Sequence, residues 1–365
     1  MNNDIFDKKE REQNIIFENN FYNYLQNNQK EAIHSINQSY NPFNIDLPIQ
    51  QSNFININEN NKKEKYNIVD LLSKNPNINS YIDLIDNLTM EELELMFSFI
   101  LNNIDIFCSN VQSYLLIDKI IYLYNQNILN EQNKEIHNNI RENIYSFLTS
   151  FFNKRIPSLI YSNNYISSII NLVIKLGYPK NNFIFIDIES NFKAYGYNRQ
   201  GCILIQNLFP LGNAIQRQNL FNIILNQYKD LIIDKYGHYL FKYLLYKEEN
   251  GEKYYDEICN KIINDAKKYT SNKYSSVVIE RLLDSTNSNI KGKIINKICE
   301  NENDVVELLY HPYGNYVLQK IIGVAEDNNI LGMIYKTMMK NKNSIYKLSY
   351  GKKIMKAINV AYILK

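Results

Sequence analysis

Two carboxamide side chains, Asn315 and Gln319, lie four residues apart in the segment 311–322, with Tyr316 next to the first of them. Residues four apart project from one face of an α-helix, so the two amides would lie side by side with an aromatic ring beside them. Amides offer hydrogen-bond donors and acceptors, and a ring offers a stacking surface. Single-stranded nucleic acids are recognised by hydrogen bonds to base edges and by stacking on base faces. The pattern therefore predicts a helix that binds a nucleobase.

The same pattern recurs along the chain at intervals of 36 to 39 residues. In each unit, positions three, four, seven and eight are apolar, a small residue often precedes position one, and a Tyr often stands two residues before it. The clear units begin at Asn163, Cys202, His238, Ser276, Asn315 and Lys352. Two less regular units begin at Tyr114 and Asn79, and a polar insert is expected within residues 125–135.

Longer amphipathic stretches, such as residues 254–267 and 290–299, separate the units. Each repeat therefore consists of a longer helix, a turn and a second helix, and such repeats stack into a solenoid. Residues 183–188 have strand propensity, but the register of the repeat makes them a first helix. We predict an all-α, curved right-handed α-solenoid over residues 66–365, with its second helices on the concave face. Residues 1–65 are predicted to be an Asn-rich, mostly flexible extension.

Composition narrows the function classes. The net charge is +2, but it is unevenly distributed: residues 1–189 hold 15 basic and 22 acidic residues, whereas residues 190–365 hold 25 basic and 16 acidic residues. The basic excess of the second half favours a polyanionic partner for that half. The four Cys lack metal-ligand spacing, and no apolar run reaches about 18 residues, so we expect reduced thiols and no membrane span. The chain has no phosphate-cradling Gly loop, zinc spacing or nucleophile elbow, so we expect no enzyme, cofactor or metal.

Taken together, the units resemble the repeats of the Pumilio (PUF) family. The resemblance rests on a Cys-type unit, a drifted Asn–Tyr unit, a Ser–Glu unit, a complete Gly-Asn-Tyr-Val-Leu-Gln unit and a C-terminal cap, in the order that the family has. The matching segments are residues 201–206, 237–239, 276–280, 314–319 and 350–355. The resemblance covers residues 155–365 firmly and 66–154 weakly. It implies about seven repeats plus the cap.

In this family each repeat reads one base of single-stranded RNA, which is a property of the family and not of the spacing itself. The resemblance assigns base-edge contacts to positions one and five of four units: Cys202 with Gln206, His238 with Lys242, Ser276 with Glu280, and Asn315 with Gln319. It assigns base stacking to position two, namely Ile203, Tyr239, Val277 and Tyr316. Weaker RNA contacts are expected from Asn163, Asn164, Ser167, Lys352 and Lys353.

The family's RNA runs antiparallel to the protein, which implies a UGUA-like 5′ core of U, G, an open third base and A. The third base stays open because His238 and Lys242 replace the family's Asn and Gln. Tyr114 with Asp118, and the unit at Asn79, match no standard pair, so no base is assigned to them. Cys202 has an alternative role as a small buried residue. The tyrosines before the units are expected to pack between repeats: Tyr161, Tyr236, Tyr274, Tyr313 and Tyr350.

The resemblance implies a cytoplasmic, monomeric protein that binds 3′ untranslated regions of mRNA and represses translation or promotes decay. It would recruit a deadenylase or other repressor proteins on its convex face. One alternative is a nucleolar Pumilio-like factor of ribosome biogenesis, which the three intact reading pairs disfavour. Another is a HEAT- or armadillo-like protein scaffold, which has no reason to repeat these polar pairs in this order.

Overall fold

The computed structural model describes residues 82, 85, 88–109, 113–126, 134–161, 163–245, 252–284 and 288–363. They belong to a compact unit that spans Asn67–Lys365. The predicted N-terminal extension, nearly all of the unit at Asn79 and most of the polar insert lie outside the described residues. Within the described residues, all regular secondary structure is helical, which confirms the all-α prediction.

The helices follow one another in a repeating order: a first helix, usually a helix of four or five residues, and then a second helix, which is often as long as the first. In chain order they are α1 Met90–Asn102, α2 Ile104–Ser109, α3 Ser113–Gln126, α4 Lys134–Phe152, α5 Ile156–Leu159, α6 Asn163–Leu176, α7 Asn182–Ser190, α8 Phe192–Gly196, α9 Arg199–Leu208, α10 Ala214–Asn226, α11 Tyr228–Leu231, α12 His238–Leu244, α13 Glu252–Ile263, α14 Ala266–Tyr269, α15 Ser275–Leu283, α16 Ser288–Ile298, α17 Glu302–Tyr310, α18 Gly314–Val324, α19 Asn328–Lys340, α20 Lys342–Ile345 and α21 Gly351–Ile363. Residues 183–188 lie in α7, as the repeat register predicts.

The second helices form a continuous row, which we call the second-helix row: α3, α6, α9, α12, α15, α18 and α21, each packed against the next. The apolar stripe that defines the unit faces the core. In α18, for example, Val317, Leu318 and Ile321 are completely buried. Burial of such a stripe in every helix supplies the hydrophobic stabilisation that holds neighbouring repeats together.

Polar bonds also recur at the repeat period. The ammonium of Lys180 lies 2.6 Å from a carboxylate oxygen of Glu142, and that of Lys340 lies 2.7 Å from Glu302, in each case 38 residues away. Both pairs are largely exposed, and exposed ion pairs contribute at most about 1 kcal/mol each. Their common spacing shows that equivalent places in neighbouring repeats meet along the solenoid.

The small residue before position one has a steric reason. A Cβ added to Gly201 would overlap the carbonyl oxygen of Tyr195, and one added to Gly351 would overlap that of Ile345. In both cases the crowded carbonyl belongs to the residue six positions earlier. The chain before each second helix therefore passes so close to the helix start that glycine fits without distortion.

Serine replaces glycine at this place before Tyr114, Asn163 and Ser276, and the structure describes its contact in two of these units. The Ser275 hydroxyl donates a hydrogen bond of 2.7 Å to the carbonyl oxygen of Tyr269, again six residues earlier. Ser113 donates to the carbonyl oxygen of Phe107 in the same way. Since Ser113 precedes the less regular unit at Tyr114, this shared contact places that unit in the register of the clear ones.

The tyrosines before the units do not all behave as expected. Tyr350 joins two repeats, because its hydroxyl donates a 2.6 Å hydrogen bond to the carbonyl oxygen of Leu309. Tyr274 stacks against a side chain of the preceding unit, His238. Tyr161, in contrast, is 72% exposed, so its predicted packing between repeats is wrong.

Candidate nucleic-acid interface

Four consecutive second helices begin with the same capped turn. Four residues before position one stands a side chain that accepts hydrogen bonds from the backbone N–H groups two and three residues later, over 2.8 to 3.3 Å. The acceptors are Asn198, Asp234, Asn272 and His311. Such a cap satisfies N–H groups that have no partner inside the helix. We call these four the capped units.

The cap was not predicted from the sequence. Its signal is the recurrence of an acceptor side chain at a fixed distance before position one, at intervals of 36, 38 and 39 residues. The chemical type varies among amide, carboxylate and imidazole, so a search for one residue type does not find it. The geometry unites the three types because each places an acceptor atom over the same two N–H groups.

The first-position side chains are almost completely buried. Their exposed fractions are 2% for Cys202, 5% for His238, 0% for Ser276 and 2% for Asn315. Each one donates a hydrogen bond to a backbone carbonyl near the start of its own helix. They are therefore not freely projecting groups, as the sequence pattern indicated, but buried side chains that fix the turn.

Asn315 shows what this arrangement leaves for a ligand. Its amide nitrogen donates to the carbonyl oxygens of His311, at 2.9 Å, and Pro312, at 2.7 Å, which occupies both N–H groups. Its Oδ1 then accepts from the Nε2 of Gln319 at 3.1 Å. The two turn carbonyls thus fix the orientation of both amides. Gln319 retains an Oε1 acceptor and one N–H donor, a mixed pair that suits the edge of uracil.

Positions five and two form the more accessible part of the second-helix row. Lys242, Glu280 and Gln319 are half-buried at position five, whereas Gln206 is buried. At position two, Tyr316 is 37% exposed. The other stacking candidates, Ile203, Tyr239 and Val277, are half-buried. The structure therefore brings the sequence-predicted side chains of four adjacent units onto consecutive, contacting helices.

Burial changes the acidity of two first-position groups. Desolvation raises the pKa of the Cys202 thiol well above its ordinary value, so the group is a neutral thiol. Desolvation also lowers the pKa of His238, from 6.5 to about 4, and the nearby charge of Lys242 acts in the same direction. Both side chains are therefore uncharged near neutral pH.

A cleft of about 490 Å³ lies at the C-terminal end of the row, between α18 and α21. Gln319, Lys353 and Lys356 contribute its polar lining, and Ile322 and Val360 are among its apolar residues. The structure thus places Lys353, predicted as a weaker RNA contact, beside the last reading pair. Lys352 is exposed on the same helix.

The N-terminal part of the row carries different chemistry. Asn163 and Asn164 begin α6, but their side chains lie outside the described residues, and Ser167 is exposed. Asp118, at position five of its unit on α3, is largely buried, and desolvation raises the pKa of its carboxyl from 3.8 to about 6. Ser168 on α6 hydrogen-bonds this carboxyl group.

The described part of the chain has neither a metal-binding cluster nor a membrane-spanning helix. There, three or more His, Cys, Asp or Glu side chains do not gather into a group that could hold a metal ion. Likewise, none of the described helices has the length and apolar character needed to cross a bilayer.

Comparison with known proteins supports the assignment of these repeats. The profile of the Pumilio-family RNA binding repeat matches residues 197–225, 270–299 and 304–334. Each match contains a cap residue and the first-position residue that follows it. These three stretches are therefore Pumilio-family repeats. Residues 226–269, which include His238 and Lys242, lie outside the three matches of the family profile.

Relatives and solved structures agree. The chain is 30% identical over 158 residues to Pumilio homology domain family member 4 of Saccharomyces cerevisiae. The matched residues make up 41% of this chain and 17% of that protein. It is 24% identical over 177 residues to Pumilio homolog 12 of Arabidopsis thaliana, covering 48% of this chain and 29% of that one. The matched region thus spans less than a third of either relative.

Among solved structures, the chain superposes on the Puf4 RNA binding domain bound to an HO endonuclease RNA 3′ UTR recognition sequence. The TM-score is 0.60 at 20% identity, and the match covers 76% of this chain and 82% of that chain. The RNA-binding domain of yeast Puf5p bound to AAT2 RNA gives a TM-score of 0.60 at 21% identity, covering 78% and 83%. These similarities confirm the predicted fold, a Pumilio-type α-solenoid.

Proposed function

We propose that this protein with Pumilio-family repeats binds single-stranded RNA along its second-helix row, with one base at each capped unit. The observation that carries the proposal is the shared geometry of the four capped units. In each, the cap and the first-position side chain fix the helix start, and the side chains at positions two and five stand in the same register on adjacent helices. A repeated, equally spaced set of edge-binding and stacking groups suits a chain of bases.

The chemistry of each pair supports a base assignment. Gln319, held by Asn315, offers one donor and one acceptor for uracil at the 5′ end. Glu280 offers only acceptors when ionised, which suits the N1–H and N2–H₂ donors of guanine at the second base. Cys202 with Gln206 resembles the family's adenine-reading pair and takes the fourth base. The proposed core is therefore UGUA-like, with the third base left to the His238 unit.

The biological role follows from the same family resemblance. The protein would bind 3′ untranslated regions of mRNA in the cytoplasm and repress translation or promote decay, acting as a monomer that recruits other factors and not as an enzyme. The alternative role in nucleolar ribosome biogenesis predicts RNA binding with little sequence preference. A test of sequence preference therefore separates the two roles.

The test uses the full-length chain and short fluorescent RNAs in a competition assay. An RNA that contains UGUA should bind tighter than one in which the G is replaced by A. Glu280→Gln replaces one acceptor oxygen by an N–H₂ group, so it should reduce discrimination between these RNAs by about 1–3 kcal/mol, the scale of a good bidentate base contact.

Glu307→Gln is the matched control, because Glu307 is exposed on α17, outside the second-helix row. It should leave the preference for G unchanged. Equal binding of both RNAs by the wild-type chain would refute sequence-specific recognition. Unchanged discrimination in Glu280→Gln would refute the role of Glu280 alone.

A further inference from the structure

The imidazole of His238 has a defined tautomer. Its Nδ1 lies 2.9 Å from the backbone carbonyl oxygen of Asp234, the residue that also caps the helix. A carbonyl oxygen only accepts, so Nδ1 must carry the hydrogen and donate it. In the neutral ring the other nitrogen, Nε2, is then an acceptor. The first position of this unit thus presents one acceptor and no polar donor.

The surroundings of His238 keep the ring neutral and fixed. Its ring centroid lies 4.1 Å from that of Tyr239 and 5.4 Å from that of Tyr274, which stacks on it at an interplanar angle of 26°. The ring is 95% buried, and burial with the nearby Lys242 charge lowers its pKa to about 4. A protonated His238 ring would be a buried cation next to the Lys242 ammonium group, so the ring stays neutral near neutral pH.

Lys242, one turn further along α12, provides the opposite chemistry. An ammonium group has three N–H donors and no acceptor. Its nitrogen lies 5.8 Å from the centroid of the Tyr239 ring, the stacking candidate of the same unit, so the charge sits beside the surface on which a base would stack. The unit therefore pairs an acceptor at position one with a donor-only cation at position five.

The four bases differ in how well their Watson–Crick edges fit this pair. Cytosine has one donor, N4–H₂, next to two adjacent acceptors, N3 and O2, so His238 Nε2 and the Lys242 ammonium satisfy all three groups. Adenine offers one donor and one acceptor and lacks the second acceptor. Uracil and guanine each leave one polar group without a partner, and such a group is costly to desolvate.

We propose that the His238–Lys242 unit selects cytosine at the third base, in place of the uracil that an Asn–Tyr–Gln unit would read. The inference deepens the proposed RNA-binding function and rests on it. It assigns the chain a core of the form UGCA, with adenine as the next best third base. The absence of this unit from the stretches that match the family profile accords with a unit that has changed its specificity.

The experiment measures the affinity of the full-length chain for four RNAs that differ at the third base of the core, in constant flanking sequence. Cytosine should bind tightest, at least about fivefold tighter than uracil or guanine, because one satisfied base contact is worth at least about that factor. If G remained required at the second base but uracil bound best at the third, or no third base were preferred, the cytosine assignment would be overturned. No specific binding of any of the four RNAs would remove the proposed function and this inference with it.

Two variants locate the effect in the two side chains. The double variant His238→Asn with Lys242→Gln rebuilds the polar pair of the Asn315 unit and should shift the preference from cytosine to uracil. Lys242→Gln alone changes only a half-buried side chain, so it tests the inference even if the double variant fails to fold, and it should abolish the cytosine preference. Lys320→Gln removes another half-buried lysine of the row and should leave the third-base preference unchanged. An unaltered cytosine preference in Lys242→Gln would contradict the role given to Lys242.

Discussion

The capped units differ from the two clear units that flank them, those at Asn163 and Lys352. Where the capped units have Asn, Asp or His four residues before position one, the flanking units have Leu159 and Leu348. Leucine has no acceptor for the N–H groups at the helix start. Among the six clear units, the turn cap and the polar reading pair therefore occur together. The apolar stripe, in contrast, continues into both flanking units, so stacking of repeats and presentation of reading groups have separate sequence requirements.

The chemistry of position five also differs between the two ends of the row. Three capped units carry an amide or a cation there, and the fourth carries Glu280, whose carboxylate matches guanine. At the N-terminal end of the row, Asp118 occupies the same position, but its carboxyl group lies in the contact between α3 and α6. Like charge repels phosphate, so this end is better suited to support the solenoid than to bind RNA.

The largest effect on the capped units should come from Gly201→Ala. The added Cβ would overlap the Tyr195 carbonyl oxygen, a backbone atom that cannot turn away. We expect a loss of about 3 kcal/mol in the free energy of unfolding, the upper range for an overpacked site. Urea denaturation followed by circular dichroism measures it.

Gly292→Ala is the control, because a Cβ at Gly292 meets nothing within 4 Å in the middle of α16. It should be neutral or stabilise the protein by up to about 1 kcal/mol, since alanine is the better helix former. If the two substitutions had equal effects, the close approach before position one would not be the reason for the small residue.

At the N-terminal end, Asp118→Asn should stabilise the protein at neutral pH. The folded-state pKa of Asp118, about 6, lies above the ordinary value of 3.8, so the folded state binds the proton more tightly than the unfolded state. Stability therefore falls as pH rises from about 4 to about 6 and stays low above that. Removing the charge should restore about 2–3 kcal/mol at pH 7 and nothing below about pH 4.

Denaturation of both chains at several pH values measures this difference. Asp105→Asn, at an exposed aspartate of α2, serves as the control and should change the free energy of unfolding by less than about 0.5 kcal/mol. An Asp118→Asn variant that was destabilised at pH 7 and not below about pH 4 would indicate that the ionised carboxylate stabilises the fold, and that this end of the row resembles the capped units after all.

Much of this architecture follows from the sequence, because hydrophobic periodicity and the spacing of the units are properties of the chain itself. The register of Val317 and its equivalents fixes which side of each second helix is buried. The sequence does not reveal that Asn315 is buried, since an amide at helical spacing looks the same whether its N–H groups face solvent or turn carbonyls. Nor does it reveal the cap, because Asn272 and His311 share an acceptor position and not a residue type.

The smallest effect should come from removing one cap, in Asn272→Ala. Asn272 Oδ1 accepts from the N–H groups of Tyr274, at 2.9 Å, and Ser275, at 3.1 Å, so its loss should lower the free energy of unfolding by about 1 kcal/mol. It should also weaken discrimination for guanine at the second base, but less than Glu280→Gln does, because it loosens only the turn that positions Ser276. Asn272→Asp keeps an acceptor, as Asp234 does in the neighbouring unit, and should retain both properties. If Asn272→Ala and Asn272→Asp had the same stability and the same preference for guanine, the cap would not contribute to the difference between the reading units and the flanking ones.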